Sequence, residues 1–275
     1  MTLDRLPAKA AEWNVVLDES SETATSLLGF GVRDGQRVVL KLTKVDDEAH
    51  AGKMLQAFGG SGAVRVYEAE TRAMLVERLE PGEQLVSLVR RGNDDEATEV
   101  LAQVIERLAN HAPPDECPSV TDWGRGFERY MRSGDQRISH GLVREAQQVY
   151  EALASSQTNT MLLHGDLQHY NVLFDRERGW TAIDPKGVVG ELEYEVGALL
   201  RNPIELPELF TNRATIERRV EILTALLPLD HTRAIQWSFA QAVLSAIWDV
   251  EDGNRVDPNH PALILANTLK EMLNN

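Results

Sequence analysis

The hydrophobic pattern of this chain changes its period near residue 81. Before that point, apolar residues form short runs typical of strands, as in residues 37–42, which read R-V-V-L-K-L. After Pro81-Gly82, apolar residues recur every three or four positions, which is the spacing of helices. The change predicts an α+β fold with a small sheet-containing lobe at residues 1–80 and a larger, mainly helical lobe at residues 81–275. No flexible linker separates the lobes, so we expect them to enclose one cleft.

The predicted elements follow from local patterns. The Asp34-Gly35 pair predicts a tight turn between two strands of a hairpin. Strands are predicted at residues 12–17, 24–32, 37–42, 63–69 and 74–78, and one helix at residues 46–58. Apolar stripes predict core-facing helices at residues 100–108, 220–227, 235–247 and 265–273. A β insertion is predicted between these helices, at residues 160–163, 172–174 and 180–183.

Charge excludes two classes of partner. The chain has 28 Lys plus Arg against 43 Asp plus Glu, a formal net charge of −15. Nucleic acids and anionic membrane surfaces both require a basic footprint, so neither is expected as a partner. The excess of acids permits a cationic partner, although solubility alone is the preferred explanation of the charge.

Other features concern location and assembly. Cys117 is the sole cysteine, which excludes an internal disulfide and a cysteine zinc site. The first residues lack the apolar core of a signal peptide, and no run of about 18 apolar residues occurs. We therefore expect a cytoplasmic protein, and we expect it to be a monomer.

The segment that carries chemistry reads H-G-D-L-Q-H-Y-N-V-L, from His164 to Leu173. Asp166 and Asn171 lie in a loop between two predicted strands, and the next strand leads to Asp184. One carboxylate can accept the proton of an attacking hydroxyl, while the amide oxygen and the other carboxylate can hold Mg²⁺ on ATP phosphates. The set predicts a phosphoryl-transfer site. The alternative is that Asp166 and Asn171 form ordinary turns and Asp184 caps an element.

Lys41 supports the phosphoryl-transfer interpretation. It lies within an apolar predicted strand, where an ammonium needs a partner because burying it alone is costly. Glu48 opens the following predicted helix and is placed to hold it. The order of lysine, acid, acidic linker, D-x-x-x-x-N and later Asp is that of a kinase active site. No P-loop motif is present, and Gly29-Phe30-Gly31 is too short to indicate a glycine-rich phosphate loop.

Several segments together carry a family resemblance. They are L-L-H-G-D-L-Q-H-Y-N-V-L (162–173), A-I-D-P-K-G-V-V-G-E (182–191), G-A-V-R-V (62–66), L-V-E-R-L-E-P-G (75–82) and A-V-L-S-A-I-W-D (242–249). The chain resembles the aminoglycoside phosphotransferases, which share the protein-kinase fold, and most closely their streptomycin 6-phosphotransferase and hydroxyurea phosphotransferase branch. The resemblance implies a protein-kinase-like two-lobe fold with an antiparallel sheet in the first lobe.

The resemblance also implies roles for individual residues. Asp166 matches the catalytic base, and Asn171 and Asp184 match the magnesium ligands. The nucleotide side is implied to consist of Lys41 on the phosphates, Glu48 as its helix partner, Ser20 and Ser21 in a loop over the phosphates, and the linker from Glu77 to Leu79 against adenine. His164 is interpreted as a structural residue that fixes the catalytic loop. Lys186 fits either a phosphate contact or a solvated surface.

Acids and one aromatic residue are the candidates for the acceptor side. In the resemblance, two regions flank the acceptor pocket, and their candidates are Glu191, Glu193, Glu195, Trp248, Asp249, Glu251 and Asp252. Polycationic aminoglycosides require such carboxylates. For each acid taken singly, a solvated surface is the preferred interpretation, and Trp248 fits a core position as well as a pocket wall.

Three functions remain open at this point. The first is an ATP- and magnesium-dependent kinase that phosphorylates a small alcohol, with an aminoglycoside such as streptomycin as the acceptor. The second is a metabolic kinase for a sugar, an amino alcohol or a hydroxyurea-like compound. The third is a pseudokinase that binds nucleotide without turnover, and the intact set of Lys41, Asp166, Asn171 and Asp184 argues against it.

Overall fold

The computed structural model describes residues 5–46 and 48–274. Helix α1 (Arg5–Glu12) precedes a five-stranded antiparallel sheet whose strand order is β1-β2-β3-β5-β4. The strands are β1 (Val16–Glu22), β2 (Ser26–Arg33), β3 (Gln36–Thr43), β4 (Val66–Glu70) and β5 (Ala73–Glu77). Helix α2 (Ala51–Ala57) connects β3 to β4. The Asp34-Gly35 turn is confirmed, since both residues have positive φ and Arg33 pairs with Gln36 across the hairpin.

The two faces of the sheet belong to different hydrophobic cores. One face forms a core with the α1 segment, and the other contributes to the main core of the protein. On the first face, Leu6 and Trp13 from the α1 segment pack with Leu27, Leu40 and Leu75 of the strands. On the second face, α2 joins the main hydrophobic core, which continues into the helical part of the chain. The second face is therefore the one that takes part in a site between the sheet and the helices.

Three local predictions in this region are wrong. Residues 5–12 form a helix where no element was expected, and the first strand begins at Val16 instead of residue 12. Helix α2 begins at Ala51, which leaves Glu48 in the turn before it. The predicted helix at 46–58 also contains residue 47, which lies outside the described residues.

Ser20 and Ser21 lie in strand β1, not in a loop. Strand β1 is an edge strand with mostly exposed side chains, so its polar sequence is compatible with pairing through the backbone alone. The turn that follows it comes after Glu22, between β1 and β2.

The remainder of the chain is mainly helical. Its helices are α3 (Val86–Arg90), α4 (Asp94–Leu108), α5 (Val120–Ser133), α6 (His140–Ser155), α7 (Val196–Leu200), α8 (Pro207–Phe210), α9 (Arg213–Leu226), α10 (His231–Glu251) and α11 (Pro261–Leu273). Its short strands are β6 (Pro81–Gln84), β7 (Met161–Leu163), β8 (Val172–Asp175), β9 (Gly179–Ala182) and β10 (Val188–Gly190), and a 3₁₀ turn spans Leu192–Glu195. The predicted β insertion corresponds to β7, β8 and β9, and the four predicted stripes fall on α4, α9, α10 and α11.

Helix α10 lies at the centre of the helical part. It is buried over most of its length and packs against α6, α7 and α11, with Trp237 and Phe239 in the core. A buried ion pair joins α4 to α9, where Arg219 Nη2 lies 2.5 Å from Asp94 Oδ1. The α+β class is confirmed, whereas the division at residues 80 and 81 stays a prediction. No helix among the described residues is long and apolar enough to cross a membrane.

Candidate active site

The H-G-D segment follows β7 directly, and hydrogen bonds of the His164 ring hold it in place. The buried His164 ring contacts the Ile183 carbonyl oxygen through Nε2 at 2.8 Å, and the Asp166 amide donates to His164 Nδ1 at 3.3 Å. Burial lowers the pKa of His164 below its ordinary value, so the ring is neutral near pH 7. Gly165 has φ +78°, and a Cβ there would lie 2.8 Å from the Trp123 ring. These contacts make His164 a structural residue, and they require glycine at position 165.

Glu195 anchors the same segment from beneath. Its side chain is buried and accepts hydrogen bonds from the His164 amide at 2.7 Å and the Gly165 amide at 3.0 Å. Burial raises the pKa of Glu195 to about 7, although the backbone amides that donate to it act in the opposite direction. Glu195 therefore holds the catalytic loop and does not face an acceptor.

Replacing Glu195 by glutamine should destabilise the fold by about 1–3 kcal/mol, because an amide NH₂ would face a backbone N–H. The raised pKa of Glu195 means that the carboxyl adds stability below its ordinary pKa of 4.5, and this contribution disappears as pH rises through about 7. The stability difference between wild type and Glu195→Gln should thus be larger near pH 5 than near pH 8. Urea unfolding at both pH values measures it, and a difference that grows with pH would contradict the assignment.

Asp166 and Asn171 are held together at the top of the loop. Asn171 Nδ2 donates to the Asp166 carbonyl oxygen at 2.8 Å and to Asp166 Oδ2 at 3.1 Å. The Asn171 carbonyl accepts from the Ile183 amide at 2.9 Å, which brings the segment carrying Asp184 alongside. The structure thus brings the three predicted chemical residues to one place.

Lys41 joins this group from the sheet. Its Nζ lies 3.0 Å from Glu48 Oε2 and 2.8 Å from Asp184 Oδ1, and its side chain is only 8% exposed. Burial lowers the pKa of Lys41, but the two carboxylates raise it more, so that the pKa lies above its ordinary value. The ammonium is therefore charged and available to phosphate oxygens.

The donor set fits a magnesium ion. Asn171 uses its amide nitrogen toward Asp166, which leaves its amide oxygen for other partners. Asp184 uses Oδ1 toward Lys41, and its side chain is 35% exposed. An amide and a carboxylate oxygen are the hard ligands that Mg²⁺ prefers, with phosphates and water completing its shell. Among the described residues no group of three His, Cys, Asp or Glu side chains is placed to hold a metal.

A cavity of about 500 Å³ opens between the sheet and the helical part. Leu28, Phe30, Val39, Val76 and Leu173 are among its apolar walls. Lys41 and Asp184 lie among its lining residues, and the linker residues Glu77 and Leu79 line it as well. The Glu77 carboxylate is occupied by Arg178 and by the Arg65 amide. Ser20 and Ser21 do not line this cavity.

A second cavity of about 480 Å³ lies beside the catalytic loop. Trp123, which contacts Gly165, and Trp248 form its aromatic wall, with ring centroids 5.8 Å apart and planes nearly perpendicular. The other lining residues are Pro118, Asp122, Arg129, Lys186, Glu251 and Asp252. Both cavities are thus lined by neighbours of the loop that carries Asp166: Asp184, whose segment pairs with Asn171, lines the first, and Trp123, which contacts Gly165, lines the second.

Comparison with known proteins agrees with this geometry. The model of the family described as aminoglycoside/hydroxyurea antibiotic resistance kinase matches residues 12–253. The chain belongs to this family. It is 30% identical to streptomycin 3''-kinase of Klebsiella pneumoniae over 88% of this chain and 91% of the relative. It is 31% identical to streptomycin 6-kinase of Streptomyces griseus over 80% and 73%, and 30% identical to hydroxyurea phosphotransferase of Kitasatospora aureofaciens over 95% and 78%.

Solved structures share the fold at low identity. A choline/ethanolamine kinase family protein from Mesorhizobium loti superposes with a TM-score of 0.66 at 18% identity, covering 100% of this chain and 96% of that one. A thermostable mutant of aminoglycoside phosphotransferase APH(4)-Ia, in a ternary complex with ADP and hygromycin B, gives 0.63 at 15% identity, covering 100% and 98%. The predicted protein-kinase-like two-lobe fold is confirmed by these neighbours.

The acceptor-side predictions divide into two groups in this kinase fold. Trp248, Glu251 and Asp252 line the second cavity. Asp249 does not, because its carboxylate accepts from Asn254 Nδ2 at 2.9 Å and lies near His260. Trp123, Asp122 and Arg129 line the cavity without having been predicted, and no local pattern in the sequence marks them.

The placement of three predicted acceptor acids is wrong. Glu191 is buried and bound by Arg233 and the Trp237 indole N–H, and Glu193 accepts from the Asp230 amide at 3.1 Å. Both line a different cavity, and Glu195 lies under the catalytic loop. Around the 3₁₀ turn at Leu192–Glu195, the side chains of Glu191 and Glu195 are buried, whereas Glu193 is half-buried and lines the other cavity.

Proposed function

We propose that this protein is an ATP- and magnesium-dependent kinase that phosphorylates a hydroxyl of a cationic aminoglycoside, with streptomycin as the acceptor. The observation that carries the proposal is that two cavities are lined by neighbours of the loop bearing Asp166. The first is nucleotide-sized and apolar and contains Lys41 and Asp184, and the second has aromatic and charged walls that include Trp123. Two of the similar proteins are named streptomycin kinases, which supports this acceptor class.

The reaction assigns a step to each residue. The oxygen of the acceptor hydroxyl forms a bond to the γ-phosphorus, and the Asp166 carboxylate accepts the proton of that hydroxyl. The bond between the γ-phosphorus and the β–γ bridging oxygen breaks, which releases ADP. Lys41 holds phosphate oxygens, while Glu48 and Asp184 keep its ammonium in place. Asn171 and Asp184 would hold magnesium, which neutralises phosphate charge when bound.

Three acids (Asp122, Glu251 and Asp252) and two bases (Arg129 and Lys186) line the second cavity, so its formal charge is negative and favours a cation. Glu251 is paired with Arg129 through two hydrogen bonds of 2.9 and 3.2 Å, and Asp122 is bound by Ser119 and lies near Arg125. Asp252 is exposed; its amide donates to the Trp248 carbonyl at 2.9 Å, whereas within the described residues its carboxylate is not engaged as those of Asp122 and Glu251 are. Asp252 and the faces of Trp123 and Trp248 are thus the surfaces left for a guanidinium or ammonium group.

The direct test is an acceptor assay with purified protein, ATP and magnesium. Streptomycin should yield a phosphorylated product by mass spectrometry together with one ADP for each product. Phosphorylation of hydroxyurea but not streptomycin would overturn the acceptor assignment. Absence of transfer to either acceptor, with no hydrolysis of ATP, would overturn the kinase assignment itself.

Asp252→Asn should lower kcat/KM for streptomycin about two- to fivefold at low salt, as expected for one exposed charge. The loss should shrink with added salt, since the Debye length falls from about 30 Å at 0.01 M to about 8 Å at 0.15 M. Asp249→Asn, three residues earlier, is the matched control because its carboxylate is already engaged. Steady-state kinetics that show equal effects of both substitutions would contradict a specific contact at Asp252.

A further inference from the structure

We propose that Arg201 positions the carboxylate of Asp166 for the transfer reaction and that Gln241 holds Arg201 in place. The inference rests on the proposed role of Asp166 as catalytic base. Arg201 directly follows α7, 35 positions beyond Asp166, and neither it nor Gln241 belongs to a motif of the sequence. Both would act through Asp166, so they are positioning residues.

The Asp166 carboxylate is held from two sides. Arg201 Nη2 lies 3.7 Å from Asp166 Oδ1, and Asn171 Nδ2 donates to Oδ2 at 3.1 Å. The Arg201 side chain is 14% exposed, so this pair is screened less than a surface pair. Without Arg201, the carboxylate would lose the contact at Oδ1 and could rotate away from the approaching hydroxyl. Misplacement of a reacting group by about 1 Å can cost about 10²-fold in rate.

The catalytic loop has no basic side chain of its own that could hold the Asp166 carboxylate. Residues 164–171 include no Lys or Arg, and the two histidines of the loop are buried. Arg201 therefore brings a guanidinium beside Asp166 from another element of the fold, the turn after α7.

Gln241 accounts for the direction in which Arg201 points. It is a buried polar residue on α10, whose Oε1 accepts from Arg201 Nη1 at 3.3 Å and whose Nε2 donates to the Tyr194 carbonyl at 2.6 Å. Buried amides are retained where they satisfy specific partners. Gly197 on α7 leaves room for this amide, since a Cβ there would overlap the Gln241 side chain. A line of contacts therefore runs from α10 through Gln241 and Arg201 to Asp166.

The test combines Arg201→Ala, Gln241→Met and the double variant. Arg201→Ala should lower kcat about 10- to 100-fold and leave KM for ATP within about twofold, because the nucleotide is held elsewhere. Gln241→Met should lose less, and the double variant should match Arg201→Ala alone within about twofold, because Gln241 acts only through Arg201. Arg201→Lys should recover part of the loss, and millimolar guanidinium should raise the rate of Arg201→Ala.

Two results would overturn the inference: an Arg201→Ala variant with kcat within about twofold of wild type, or losses in the two single variants that multiply in the double. Melting temperature and ADP binding check that the variants are folded, and Arg201→Lys carries the same comparison if Arg201→Ala does not fold. A wild-type protein that fails to phosphorylate streptomycin speaks against the proposed acceptor only. The same variants are then compared by their acceptor-independent hydrolysis of ATP, where Asp166 would act on water.

Discussion

Asp166→Ala is expected to reduce phosphoryl transfer by about 10²–10⁴-fold while ATP still binds. The reason is that different residues are proposed to act on the acceptor and on the nucleotide. In the proposed mechanism Asp166 acts on the acceptor hydroxyl, whereas Lys41, Asp184 and the apolar walls of the first cavity hold the nucleotide. Turnover with streptomycin and equilibrium binding of ATP, measured on the same preparation, separate the two effects.

Asp166→Asn is the matched variant for this experiment, because it keeps the size of the side chain while it removes the proton acceptor and the negative charge. Its loss of rate should approach that of Asp166→Ala. If either variant keeps more than about a tenth of wild-type turnover, Asp166 is not the general base.

Asp184→Asn should raise the magnesium concentration for half-maximal activity by about tenfold or more. The substitution weakens an oxygen ligand and also removes one of the two carboxylates that hold Lys41. A lower kcat at saturating magnesium is expected in addition, since Lys41 is then held by Glu48 alone. A magnesium titration at fixed ATP measures both effects.

Glu48→Gln provides the control for the metal assignment. Glu48 contacts the same ammonium at 3.0 Å but is not proposed to bind magnesium. The Glu48→Gln variant should therefore have a higher KM for ATP with little change in its magnesium requirement. Equal half-saturation by magnesium in wild type and Asp184→Asn would rule out Asp184 as a ligand.

The sequence predicted those parts of the protein that local patterns encode. The Asp34-Gly35 turn, strand β3 and the long apolar helices follow from periodicity and turn chemistry, and H-G-D-x-x-x-x-N marks the catalytic loop. Helix α1 was missed because its few apolar residues are partnered only by the distant sheet. Ser20 and Ser21 of strand β1 were interpreted as part of a loop because their segment is polar. An edge strand needs no apolar side chains, so a polar segment can still form one.

The rest of the site depends on contacts between distant segments. Trp123 from α5 and Arg201 from the turn after α7 contact the catalytic loop, and Gln241 from α10 contacts Arg201. No spacing in the sequence links these residues to Asp166. The acids at 191, 193 and 195 were predicted to face the acceptor, because a sequence does not reveal which carboxylates bind partners inside the protein. Glu191 bound to Trp237 and Arg233 is such a case.

The first cavity has a consequence for the lifetime of the protein in a cell. Its walls come from the sheet, through Val39 and Val76, and from the helical part, through Leu173 and Ile183. A nucleotide bound there would tie the two parts together, and a ligand present at 100 times its dissociation constant adds about 2.7 kcal/mol to the free energy of unfolding. Resistance to proteolysis should then follow the ATP level, so that energy-starved cells would degrade this kinase faster than well-fed ones.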